Sequence, residues 1–252
     1  MSALASLDSG HENVALLELR RAPFNYLDVP LLRELADRLA QLDADPDCRV
    51  VVLAAEGRAF SAGADFSGKD DARDPAPLYE QAMRLFGNAK PLVAAVHGPA
   101  IGAGLGLALA ADFRVGCAEA RFSANFNRLG FHPGFGLSLT LPRLVGAQQA
   151  ALLFYTGRRI GGEEALRIGL IDQLVPADEV RTSALALAAE IALSAPLAVE
   201  STRATLRRGL AEAVAAANRH ERELQCVQFA SEDFKEGVQA MAERRAPRFL
   251  RR

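Results

Sequence analysis

Two short apolar runs, Val50-Val51-Val52-Leu53-Ala54 and Leu92-Val93-Ala94-Ala95-Val96, each give way to a stretch rich in glycine and alanine. The first leads to Phe60-Ser61-Ala62-Gly63-Ala64-Asp65 and the second to Gly98-Pro99-Ala100-Ile101-Gly102-Ala103-Gly104-Leu105-Gly106. Runs this short and this uniformly apolar read as strands buried on both faces, the signature of a parallel sheet. Glycine and alanine at a strand end let the backbone turn sharply and approach a ligand closely. The second stretch runs on into Leu105-Gly106-Leu107-Ala108-Leu109-Ala110-Ala111, a small-residue helix whose first N–H groups have no intrahelical partner. Two such turns can aim two N–H groups at one oxygen, the outline of an oxyanion hole.

The rest of the chain fits an α/β domain. A strand is expected over residues 14–19, and an amphipathic helix over 31–42 with Leu31, Leu32, Leu35, Leu39 and Leu42 at helical spacing. Asp45-Pro46-Asp47 stops that helix before the strand at 50–54, so the unit is β-α-β with a right-handed crossover. Residues 68–77 read as a polar, proline-bearing loop. Its charges, Lys69-Asp70-Asp71-Ala72-Arg73-Asp74, read as a solvated surface, with a lid as the sharper alternative. A helix is expected over 78–88, strands over 113–117 and 121–123, and a third loop over 129–136 followed by a helix through residue 144. Beyond residue 147 the pattern is helical almost to the end, at 147–155, 163–168, 177–193, 197–209, 210–230 and 234–245.

With 252 residues, one domain with a helical appendix can bury a substantial core. The formal net charge of -2 leaves no basic footprint for nucleic acid. Cys48, Cys117 and Cys226 lie far apart, so neither a zinc site nor a disulfide framework is expected. No uncharged apolar run reaches the roughly 20 residues of a membrane span, and residues 1–5 show no signal-peptide pattern. A cytoplasmic protein with no membrane partner is expected.

The two glycine stretches resemble the F-x-A-G-A-D and G-x-A-x-G-G-G segments of the crotonase superfamily, the enoyl-CoA hydratase/isomerase family, with matching spacing and likeness over about residues 25–249. The resemblance implies an α/β spiral of β-β-α turns over residues 1–195 and a C-terminal helical trimerisation region over 196–252. It also implies an acyl-CoA substrate, no cofactor beyond the coenzyme A carried by that substrate, and a homotrimer or dimer of trimers. The backbone N–H groups of Ala64 and Ala103 would polarise the thioester carbonyl. Ala22, Phe24 and Ala62 fall where relatives contact the adenosine part. Arg244-Arg245-Ala246-Pro247-Arg248-Phe249 resembles the segment that helps hold coenzyme A, with a solvated basic tail as the plainer reading.

Hydratases of that family use two glutamates as general base and acid. The matching positions here are Gly106 and Phe126, the latter within Asn125-Phe126-Asn127-Arg128-Leu129-Gly130. The aspartate that some isomerase members carry after a proline falls at Gly134. None of the three can move a proton. Two-glutamate hydration is therefore not expected, and the site should be more apolar and roomier near Gly106. His132 is the best remaining acid or base by its titration range, against a structural role before Pro133-Gly134. Asn125 and Asn127 could orient a water or an enolate, or cap their own loop. Asp65 reads as a helix cap, with substrate contact as the alternative. His97 is expected to hold its turn by hydrogen bonds.

Three classes compete. An acyl-CoA enzyme with altered proton handling keeps the two N–H donors, and a non-catalytic acyl-CoA carrier fits the missing glutamates equally well. A dinucleotide-binding enzyme fails because the third glycine of G-x-G-x-x-G falls on Leu107. His220-Glu221 lacks a second histidine at residue 224, which excludes that metalloprotease motif, and there is no G-x-S-x-G for a serine hydrolase.

Overall fold

The computed structural model describes residues 3–64 and 74–252. The chain opens with β1 (Leu4–Leu7) and β2 (Val14–Leu19), an antiparallel pair that the sequence pattern predicts only for its second member. Helix α1 (Val29–Ala44) buries Leu31, Leu32, Leu35, Ala36 and Leu39. Asp28 caps it, accepting from the Leu31 amide at 2.9 Å, and Pro30 lies in the first turn, where its missing N–H costs nothing. Then come β3 (Val50–Ala55), α2 (Ala76–Arg84) with a 3-10 turn over Leu85–Gly87, and β4 (Leu92–Val96). Every residue of β3 and β4 is buried, as two-sided coverage requires.

The second glycine stretch forms β5 (Ala100–Ile101) and α3 (Ala103–Ala110), followed by β6 (Phe113–Gly116) and β7 (Arg121–Ser123). A 3-10 turn over Asn125–Leu129, read from sequence only as a connection, leads towards α4 (Leu137–Val145) and α5 (Ala147–Thr156). The chain continues through β8 (Ile160–Gly161), α6 (Gly162–Arg167), β9 (Gln173–Leu174) and α7 (Val180–Ala192). It closes with α8 (Pro196–Leu206), α9 (Leu210–Gln228) and α10 (Glu232–Ala242).

The main sheet has the order β1-β2-β3-β4-β6-β9, parallel throughout except for β1. Helix α7 lies against β2, β3, β4 and β6, and α1 packs with α2 and β1. A smaller sheet, β5-β7-β8, stands beside the main one. Because β3 and β4 are adjacent and parallel, with Val51 opposite Leu92, their outgoing turns emerge side by side at the carboxyl edge of the sheet. That edge is where open α/β sheets place ligands.

Asp112, between α3 and β6, ties α8 and its C-terminal end to this sheet. Its carboxylate accepts from the Leu92 amide, the Arg203 guanidinium and the Arg207 guanidinium at 2.9, 2.8 and 2.7 Å. Arg203 also donates to the Asn88 carbonyl oxygen at 2.5 Å. No single helix among the described residues is long and apolar enough to cross a membrane.

Candidate active site

The two glycine turns close on one another. Ser61 donates its amide to Pro99 and accepts from the Ile101 amide, both at 3.0 Å, so residues 61 and 100 form a parallel bridge. At Gly104 an added Cβ would collide with the Ser61 carbonyl, so only glycine lets the strands approach this closely. Gly63 has φ +84°, and a Cβ on it would stand 3.3 Å from the Ala103 nitrogen. Ala64 follows directly, bridged to Leu27. The amides of Ala64 and Ala103 thus come from two turns in contact, and neither donates to an acceptor among the described residues.

The environment favours negative charge there. Ala103 is the first residue of α3, whose N-terminus carries no side-chain cap and whose residues are all buried. The helix dipole therefore points its positive end at the gap between the turns, within a poorly screened setting. Gly102, immediately before, donates its amide to Ser123 at 2.9 Å and presses that turn onto the smaller sheet.

The first turn is braced from outside the site. The buried Asn25 side chain accepts from the Arg21 amide at 2.8 Å and donates to Glu56 and Ala59 at 2.7 and 2.8 Å. The Ser61 hydroxyl donates to the Asn25 carbonyl at 2.8 Å and accepts from the Gly63 amide at 3.2 Å. Ser61 is therefore occupied with holding the turn. His97 contributes a ring contact from Nε2 to Gly57 oxygen at 3.1 Å, joining the turns as expected.

The remaining expected site residues divide. Asn125 reaches the second glycine turn, with its Oδ1 3.4 Å from where a Cβ on Gly102 would stand. Asn127 is half-buried, and its carbonyl accepts from the Gly130 amide at 3.2 Å. Phe126 is buried edge-on to Phe131, in an aromatic cluster completed by Phe229 and Phe234. The partners of His132 lie elsewhere. Its Nδ1 contacts the Pro133 carbonyl at 2.8 Å, its ring meets His220 edge-on, and its backbone is held by Gln225 and Gln228 of α9.

Ala62 bonds the Phe24 carbonyl at 2.9 Å, so Ala62, Phe24 and exposed Ala22 lie along one strip, and Phe24 itself is 41% exposed. Phe249 lies on the exposed C-terminal tail, which folds back on α10 through bonds from the Leu250 and Arg251 amides to Asp233. Asp65 and most of the expected 68–77 loop lie outside the described residues.

Space near Gly106 differs from expectation. The fully buried Phe135 side chain stands over it, so that a Cβ on Gly106 would meet Phe135 Cγ and Cδ1 at 2.6 Å. The volume that a side chain at 106 would fill is taken by this ring, which meets Phe86 edge-on. The site is apolar there, as expected, but not roomier.

Sequence reasoning also passed over a buried polar stripe on α9. Glu221 accepts from the amides of Gly136 and Ser138, the Ser138 hydroxyl and Asn218, at 2.6–3.1 Å. One turn on, Gln225 donates to the His132 carbonyl at 2.8 Å and accepts from the Tyr79 hydroxyl at 3.0 Å. Asn218, Glu221, Gln225 and Gln228 recur at helical spacing, the one signal available in sequence. A polar stripe on a helix ordinarily faces water.

Comparison with known proteins is consistent across the chain. Residues 9–252 match the model of a family described as enoyl-CoA hydratase/isomerase. A Bacillus subtilis protein named probable enoyl-CoA hydratase is 36% identical over 244 residues, covering 94% of this chain and 95% of that protein. A Syntrophomonas wolfei protein named crotonyl-CoA hydratase is 33% identical, covering 95% of each. The crystal structure of an enoyl-CoA hydratase/isomerase from Pseudoalteromonas atlantica superposes with a TM-score of 0.87 at 33% identity, covering 99% of this chain and 100% of the other.

Proposed function

The chain belongs to the enoyl-CoA hydratase/isomerase family and is a crotonase-family enzyme, and from that premise we propose that it acts on an acyl-CoA thioester without the paired-glutamate hydration chemistry. The observation that carries the reading is the meeting of Gly63-Ala64 with the first amide of α3. Two N–H donors held by a rigid backbone suit an oxygen that gains charge during reaction, and need no rearrangement as the charge develops. The thioester carbonyl would accept from Ala64 and Ala103. Removal of an α-proton, attack at the carbonyl, or loss of a carbon substituent would each place negative charge on that oxygen.

The proton-handling half of the proposal rests on residue identity in the family register. Gly106 and Phe126 stand at the glutamate positions and Gly134 at the alternative aspartate position, and none of these side chains transfers protons. Asn125, beside Gly102, is the polar side chain best supported for orienting a reacting group, with Asn127 and His132 as further candidates. The strip of Ala22, Phe24 and Ala62 would receive the nucleotide end of coenzyme A, Asp65 would cap its turn or contact the substrate, and Phe249 with the basic tail would close over the nucleotide. Gly106 and Phe126 would line the acyl end. We also assign the C-terminal helices to contacts between subunits of a homotrimer or dimer of trimers in the cytoplasm.

The test is incubation of enoyl-, dienoyl-, β-keto- and aromatic acyl-CoA thioesters with the protein in D₂O, read by mass spectrometry. Water addition, release of coenzyme A, and isomerisation with deuterium uptake leave distinct masses. The proposal expects a change other than fast water addition to crotonyl-CoA. Efficient crotonyl-CoA hydration would refute the proton-handling half, and a panel bound but returned unchanged would favour the carrier reading.

A further inference from the structure

Ser61 belongs to both glycine turns at once. Its backbone is fixed on the second stretch, giving its amide to Pro99 and taking the Ile101 amide. Its side chain serves the first turn. The Asn25 carbonyl can only accept, so the Ser61 proton is committed to it at 2.8 Å. The lone pairs of the hydroxyl are left for the Gly63 amide, at 3.2 Å. Ser61 is fully buried, so neither partner can turn to bulk water instead.

Those bonds bear on where the Ala64 amide points. Gly63, at φ +84° and without a Cβ, is the freest residue of the turn. Both of its ends are held, the amide by Ser61 Oγ and the carbonyl by the Leu27 amide at 2.9 Å. The Gly63 carbonyl and the Ala64 N–H lie in one planar trans peptide and point in opposite directions. With the carbonyl turned to Leu27, the Ala64 N–H is turned away from it. Asn25 backs both contacts: its carbonyl takes the Ser61 proton, Leu27 follows two residues on, and its side chain is anchored at Arg21, Glu56 and Ala59.

We propose that Ser61 is a positioning residue: through its hydroxyl it sets the direction of the Ala64 amide relative to the Ala103 amide, and so how strongly the pair polarises a bound carbonyl. This rests on the oxyanion reading above and adds to it the side chain that aligns the two donors. A misdirected N–H still occupies the site, and hydrogen bonds weaken steeply as their angle falls. Loss of the hydroxyl therefore lowers polarisation more than it lowers binding, which draws on the whole thioester.

The test is infrared difference spectroscopy of butyryl-CoA, isotopically labelled at its thioester carbonyl, bound to the full chain. The wild type is expected to lower the carbonyl stretch relative to the free thioester. Ser61→Ala is expected to lose most of that displacement while the dissociation constant rises by less than about 10-fold, the worth of one hydrogen bond. Ser61→Cys, whose thiol is a weaker donor and acceptor, is expected to keep an intermediate displacement. The band is read from bound ligand alone, so a hydroxyl that only stabilised the fold would change the amount bound and not the frequency. A wild-type displacement in folded Ser61→Ala would overturn the proposal, and if that variant does not fold, a wild-type displacement in Ser61→Cys does so instead. A wild-type complex whose band does not move, or no complex at all, would refute the oxyanion reading itself and this proposal with it.

Discussion

Gly106 and Phe135 form a complementary pair whose coupling can be measured by unfolding. Two effects of Gly106→Ala oppose each other. Alanine in a helix interior is favoured over glycine by about 1 kcal/mol. The new methyl would stand 2.6–2.8 Å from three atoms of Phe135, a buried ring that meets Phe86, so α3 or the ring must move. Overpacking of this kind costs about 1–3 kcal/mol, and the net expectation is destabilisation by about 1 kcal/mol, the difference of these two terms. In a Phe135→Gly background all three of those atoms are gone, at a backbone φ of +63° that glycine adopts freely, while the helix preference remains. There, Gly106→Ala should be neutral or stabilising by up to about 1 kcal/mol.

The assay is urea unfolding of the four chains of the double-mutant cycle. A coupling of about 1–3 kcal/mol is expected, with a reversal of sign between backgrounds. Additivity within about 0.5 kcal/mol would show that the ring does not press on residue 106 and would refute the reasoning. The same pair bears on function. Gly106→Glu with Phe126→Glu is expected to yield weak crotonyl-CoA hydration only when Phe135→Gly opens space for the first carboxylate.

Ala103→Pro removes one donor at a helix position that tolerates proline, and should lower turnover about 10²- to 10³-fold; a folded variant with unchanged turnover would remove Ala103 from the site. Asp112→Ala strips the carboxylate shared by the largely buried Arg203 and Arg207, and should cost about 3–5 kcal/mol in chemical denaturation; a loss below about 1 kcal/mol would place the tie elsewhere. The Arg245 side chain, with the Arg248 amide, holds the Glu236 carboxyl at about 2 against an ordinary 4.5. Its contribution to tail docking is thus present above pH 4.5 and lost as pH falls towards 2. Hydrogen exchange of the Arg248 amide across that range should show protection surviving at pH 4, and release centred on 4.5 would contradict it.

Much of the architecture was legible because burial leaves a periodic trace. The all-apolar runs became β3 and β4, and the leucine spacing of residues 31–42 became α1, because two-sided and one-sided coverage demand different patterns. β1 escaped because Leu4–Leu7 is too short to show a period. The meeting of the two glycine turns was legible as well, since close backbone approach needs glycine at 63 and 104 whatever the surrounding sequence.

By itself, then, the sequence determined the parallel sheet, the strand ends that carry the turns, and that Gly106, Phe126 and Gly134 carry no ionisable side chain. Only the tertiary structure decided what stands beside them. Phe135 covers Gly106, while Tyr79 and Gln225, 146 residues apart in the chain, meet beside Gly134. The physical reason is locality. A glycine states that something comes close, and a periodic face states that something covers it, but the identity of the partner depends on how distant elements pack.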